Sequence, residues 1–181
     1  MSTRGAWGFI ISGRKKVTMC AHASYPTGLG REVIKFIQNH TDEELTEIAK
    51  RIELVQINEP ATPDQIRTCL LVLPAYEGDS SPLYSKDWAT LLDGVADEPE
   101  YYADGLLYMI DAAWFLKDPL FCEWAYLIDL KEKQLLVRVG ESGKKRMRLT
   151  NRMSFERIRE WSQKQLHDIT EVIEYERAEE E

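Results

Sequence analysis

Residues 1–37, MSTRGAWGFIISGRKKVTMCAHASYPTGLGREVIKFI, decide the fold. Residues 6–12 are rich in β-formers, and Ser12-Gly13-Arg14-Lys15 carries turn chemistry, so residues 16–21 return as a partner strand. Trp7, Phe9, Ile10 and Ile11 make the first strand apolar almost without interruption, the mark of a strand covered on both faces. Pro26, Gly28 and Gly30 then punctuate the chain. Val33, Ile34 and Ile37 give the next segment one apolar helical face. Hairpin, glycine corner and helix form the unit from which the rest of the chain can be read.

The same unit recurs at the other end. Trp124, Tyr126, Ile128 and Leu130 fall on one face of a strand at period two, and Ala125, Leu127 and Asp129 fall on the other. Residues 134–139 return beside it, and residues 144–150 offer a third strand. Ser154 caps a long helix with Phe155, Ile158, Trp161, Leu166, Ile169 and Ile173 inward. The middle reads as helical. Thr41 and Glu44 form a capping box before Leu45, Ile48, Ala49 and Ile52, and Thr62-Pro63 repeats the signal. Residues 69–73 fit a helix end or a strand equally well. Residues 87–92 read as a short helix, and a longer one runs from about residue 99 to Trp114 before Asp118-Pro119 breaks it. Residues 74–86 read as a loop that is mobile or faces a partner. The expectation is one α+β domain over residues 1–173. Its antiparallel sheet comes from the N-terminal and C-terminal hairpins, with helices packed against it, and residues 174–181 form a frayed acidic tail.

Composition narrows the function classes. The 181 residues are 44% hydrophobic and 30% charged, values that support a sizeable core, and the formal net charge is −8. That charge argues against nucleic acid and anionic membrane surfaces as general partners, and leaves a basic partner or a local basic site open. Cys20, Cys69 and Cys122 are far apart and unpaired in sequence, as in a reduced cytoplasmic protein. His22, His40 and His167 are equally scattered, so neither a metal site nor a cofactor motif is expected. The apolar run at residues 6–11 is too brief for a signal peptide, and residues 105–116 are too short, and broken by Asp111, to span a bilayer. A homo-oligomer is left open.

Two sites stand out chemically. Once Met1 is removed, Ser2 presents a hydroxyl and an α-amine together, and the amine can serve as base for its own side chain. The order Ser2, Thr3, Gly13, a strand to Ala21, then His22 and Ser24 resembles the N-terminal hairpin of the N-terminal nucleophile hydrolases. That resemblance implies an amide hydrolase with Ser2, His22 and Ser24 as its catalytic residues. It departs from the family in lacking an acid near the end of the second strand. Cys20 and His22 share a face if that strand stays regular, and the alternative is a buried thiol beside a surface histidine.

The second site is the corner Thr27-Gly28-Leu29-Gly30-Arg31. Helix N-terminal amides, close approach at glycine and a guanidinium together suit a phosphate or carboxylate. Arg4, Tyr25, Gly28, Gly30 and Arg31 are the candidate residues for a small anionic, nucleotide-like ligand, with Arg14, Lys15 and Lys16 adding positive charge nearby. No Lys-Ser/Thr follows as in a P-loop, and a tight corner with positive φ is the alternative. Lys144, Lys145 and Arg146, with Arg148 and Arg152, make the densest basic cluster, readable as a solvated edge or as a contact for an anionic partner. The elements STRGA, GF, KVT and SYPTGLG of the opening resemble those of small uncharacterised proteins of bacteriophages and bacterial mobile elements, and the EWAYLIDL strand fits that resemblance. It implies an accessory protein in a host cytoplasm, with a host protein or a small ligand as partner and counter-defence as one role.

Overall fold

The computed structural model describes residues 3–73, 87–92, 95–162 and 165. In chain order the first elements are β1 (Gly5–Ile11), β2 (Arg14–Cys20), α1 (Arg31–Asn39), α2 (Asp42–Arg51), β3 (Glu53–Val55) and α3 (Pro63–Leu70). After them come α4 (Trp88–Leu91), α5 (Glu100–Ala103), β4 (Tyr108–Ile110), β5 (Trp124–Asp129), β6 (Gln134–Val139), β7 (Arg148–Ser154) and α6 (Phe155–Glu160). Ser2, the loop at 74–86 and the tail at 174–181 lie outside the described residues, and so does most of the final helix expected beyond Trp161.

Five strands form one sheet in the order β2-β1-β5-β6-β7. The β1–β2 hairpin turns on two residues, Ser12 at φ 50° and Gly13 at φ 75°. Two positive-φ residues match the twist of the flanking strands, which is why a short polar residue followed by glycine occupies this position. In the β5–β6 hairpin the Asp129 carboxylate accepts the N–H groups of Lys131 and Glu132 at 3.1 and 3.2 Å. The expected antiparallel sheet is corrected in one respect. The two hairpins join through β1 and β5, which run parallel from Gly5 opposite Trp124 to Ile10 opposite Asp129. The crossover through the helical middle returns the chain to the end of the sheet where β1 began, and a strand entered from that end runs parallel.

Side-chain alternation assigns the two faces. Trp7, Phe9, Tyr126, Ile128, Leu135 and Val137 meet Val33, Phe36, Leu45, Ile48, Phe155 and Ile158 of the helices in the larger core. Ala6, Val17, Ala125, Leu127 and Leu136 point the other way, against Ala112, Phe115, Cys122 and Met147. β1 is therefore covered on both sides, as its unbroken apolar run implies. Lys16, on the helix side of the edge strand β2, sends its Nζ to the carbonyls of Ala49 and Ile52 at 2.8 and 2.5 Å, capping the end of α2.

The middle departs from the sequence reading. The expected helix from residue 99 to Trp114 is instead α5, the strand β4 and a 3₁₀ turn at Ala113–Lys117. Gly105, at φ 117°, breaks the helix after one turn. The apolar residues that follow then pair as β4 with β3 in a small parallel sheet. Residues 69–73 end α3 and turn; they are not a strand. The third strand of the C-terminal unit lies at Arg148–Ser154 rather than 144–150. Helix α6 stops at Glu160, with Trp161 in extended backbone. Among the described residues no helix is long and apolar enough to cross a membrane.

Candidate functional site

The glycine corner is built by close approach and not by positive φ. A kinked turn, Pro26–Gly30, with Gly28 outside the helical region at φ −104° and ψ −106°, leads into α1, and Gly30 has helical backbone angles. A Cβ on Gly28 would lie 2.1 Å from the Ala23 carbonyl oxygen, and one on Gly30 would lie 2.9 Å from the Tyr126 ring. The corner's positive φ belongs to Ala23, at 50°. Its amides are already engaged: Gly28 and Gly30 donate to the Tyr25 carbonyl at 3.0 and 3.2 Å, and Leu29 donates to that of Ala23 at 3.0 Å. The Arg31 amide donates to the Gly28 carbonyl. The N–H groups that the sequence offered to an anion therefore hold the turn together.

The remaining candidates are dispersed. Ser24 is fully buried, its N–H on the Thr3 carbonyl at 3.2 Å and its carbonyl accepting the Tyr126 hydroxyl at 3.1 Å. Arg4 stacks over Phe121, 5.1 Å from the ring centroid. Tyr25 is half exposed, and Arg31 sits at the start of α1. His22 is exposed on a cleft at the end of β2, whereas the Ser24 hydroxyl is buried and donates to the carbonyls of Cys20 and His22 at 3.5 and 3.4 Å. Strand regularity ends at Cys20. The Cys20 thiol is buried, donates to the Ala96 carbonyl at 2.9 Å, and is pushed well up by burial and then by Asp97. A thiol so placed is no nucleophile. The cleft itself, of about 240 Å³, has walls that include Met19, Leu92, Val95 and Trp114, with His22, Asp97 and Asp111 also on its lining.

A different constellation appears in a second cleft that also borders the 113–117 turn. A cleft of about 430 Å³ is lined by Lys15, Lys117, Arg138, Lys145 and Arg146, over a floor that includes Leu127 and Met147. Each cation arrives by its own route. Lys15 follows the β1–β2 turn, Lys117 ends the 3₁₀ turn, Arg138 alternates outward on β6, and Lys145 and Arg146 lie in the loop before β7. No carboxylate lines the cleft, and among the described residues none of the five cations forms an ion pair. Some basic residues elsewhere are paired: Lys133 and Arg159 hold Asp42 at 3.0 and 2.8 Å, and Arg148 holds Glu141 at 2.5 Å. The Arg138 Nε–H is buried with no hydrogen-bond partner among the described residues. A buried unmatched donor on a cation is costly.

Sequence reasoning flagged Lys15 and the 144–146 run separately, but missed Lys117 and Arg138. The signal for Arg138 was present in its alternation: it is the cation on the same face of β6 as Leu136. Among the described residues no group of three His, Cys, Asp or Glu side chains is placed to hold a metal ion. No family model matches the chain, and no curated protein or solved structure matches it.

Proposed function

We propose that this protein acts by binding, and that its ligand is a small anion seated in the cleft of Lys15, Lys117, Arg138, Lys145 and Arg146. One observation carries the reading. In a chain of formal net charge −8, five cations from four parts of the fold line one concavity without an acidic partner. Like charges gathered this way repel one another, and a bound anion relieves the repulsion. The reading keeps the ligand class expected from the sequence and moves the site away from the glycine corner. The phage-like opening supports an accessory role in a host cell, including counter-defence, for such a binding protein. The amide-hydrolase alternative has less support, because Ser24 is fully buried while His22 is exposed.

The test is thermal stability in inorganic phosphate against sodium chloride at equal ionic strength. A ligand at a hundred times its Kd adds about 2.7 kcal/mol of stability. The expected outcome is a phosphate-dependent rise in Tm that the Arg138→Gln/Lys145→Gln double variant loses. A rise of equal size in that variant, or no rise in the parent protein, would overturn the proposal.

A further inference from the structure

Resting on that reading, we infer that the ligand is a compact aliphatic molecule carrying two separated phosphoryl groups, such as a sugar or polyol bisphosphate. The spacing of the cations argues for two groups. Lys15 is on β2 and Arg138 on β6, three strand spacings apart in the sheet, about 14 Å. They are also offset along the strands. Lys15 is level with Ile10, whereas Arg138 is level with Ala125 and so with Ala6, a shift of four residues or about 13 Å. Strand side chains stand roughly perpendicular to the sheet, so the two charges stay far apart above it. A single tetrahedral anion cannot contact both. Leu127 lies between them on β5 and forms apolar floor. A ligand bridging the cleft therefore places charge at its two ends and carbon in its middle.

The lining also decides against other polyanions. It contains no Phe, Tyr or Trp, so a nucleobase finds no ring on which to stack, and single-stranded nucleic acid loses the contact on which such sites depend. Ala113, Leu116, Leu127 and Met147 offer aliphatic contact instead. A cleft of about 430 Å³ is in the range of small-ligand sites.

The experiment is calorimetric titration of the full chain with fructose 1,6-bisphosphate, fructose 6-phosphate and a 12-residue oligothymidylate. The bisphosphate is expected to bind at least about 10-fold more tightly than the monophosphate, the increment of a second charge-assisted contact, and more tightly than the oligonucleotide. Lys15→Gln and Arg138→Gln are each expected to reduce bisphosphate affinity to that of the monophosphate. Lys15 is exposed on the surface, so its variant keeps the parent melting temperature even if Arg138→Gln does not. Equal affinity for the two sugar phosphates, both lost in Arg138→Gln/Lys145→Gln, overturns the bisphosphate class and leaves the anion site standing. An oligonucleotide bound more tightly than the bisphosphate overturns it in favour of a nucleic-acid backbone. Absence of binding by all three overturns both readings together.

Discussion

Gly28 and Gly30 show how one residue type serves two purposes. Both were legible as a corner, yet the reason for glycine was not, because it lies in what the fold brings near. At Gly28 the neighbour is backbone, the Ala23 carbonyl, and cannot move without reopening the turn. At Gly30 it is the edge of the Tyr126 ring, which can tilt. Gly28→Ala is accordingly expected to cost about 3 kcal/mol and Gly30→Ala about 1 kcal/mol, the range of core overpacking. Urea denaturation of the two variants measures the difference, and equal losses would mean that the ring is as fixed as the carbonyl. Lys15 and Lys16, adjacent in sequence, divide in the same way. Alternation sends Lys16 to cap α2 and Lys15 to the cleft.

At the scale of elements, capping chemistry was the most readable signal, because it is local. Thr41 with Glu44, Thr62 with Gln65, and Ser154 each accept the amide that their spacing implies. The 99–114 segment was misread because its apolar residues satisfy helical periodicity as well as a strand, and only the pairing of β4 with β3 selects between them. Where elements meet, Asp42 at the start of α2 joins the β5–β6 turn through Lys133 and α6 through Arg159. Burial pushes its carboxyl up, but hydrogen bonds and positive charge from Lys133 and Arg159 outweigh that and hold it below the usual range. A folded pKa below the unfolded value of about 3.9 gives stability that is complete above that pH and lost as pH falls through the folded value. Asp42→Asn is therefore expected to lower stability by about 1 kcal/mol at pH 7. The gap between variant and parent should close below about pH 4. Denaturant midpoints across that range check both statements, and a gap independent of pH would assign the loss to packing.

For the whole molecule, the sheet with a core on each face was foreseeable from β1 and from the alternation of β5. The strand order was not, since nothing local states which strands become neighbours. The basic cleft was half visible for the same reason. Lys15 and the 144–146 run could be seen as charge, but only the order β2-β1-β5-β6-β7 sets them around one floor with Arg138 and Lys117. That order also ranks local stability. β1 and β5 are paired on both sides and buried on both faces, whereas β7 ends the sheet. Hydrogen exchange is expected to be slowest at Phe9, Tyr126 and Leu127 and markedly faster at the outward amides of β7. Protection spread evenly over all five strands would contradict this ranking.

The parallel seam between β1 and β5 has a consequence for the timing of folding. Gly5 pairs with Trp124, so during synthesis the first hairpin exists long before its neighbour does. At ordinary ribosomal speeds the wait is roughly 5–25 s. Throughout it, the apolar run Trp7, Phe9, Ile10, Ile11 stands with one row of backbone groups unpaired, a template for any other strand. Contacts across such a separation form slowly, because a long loop must close first. The nascent chain is thus most prone to aggregation before residues 124–129 are made, and cellular yield should depend more on chaperone supply and growth temperature than the finished protein's stability would indicate.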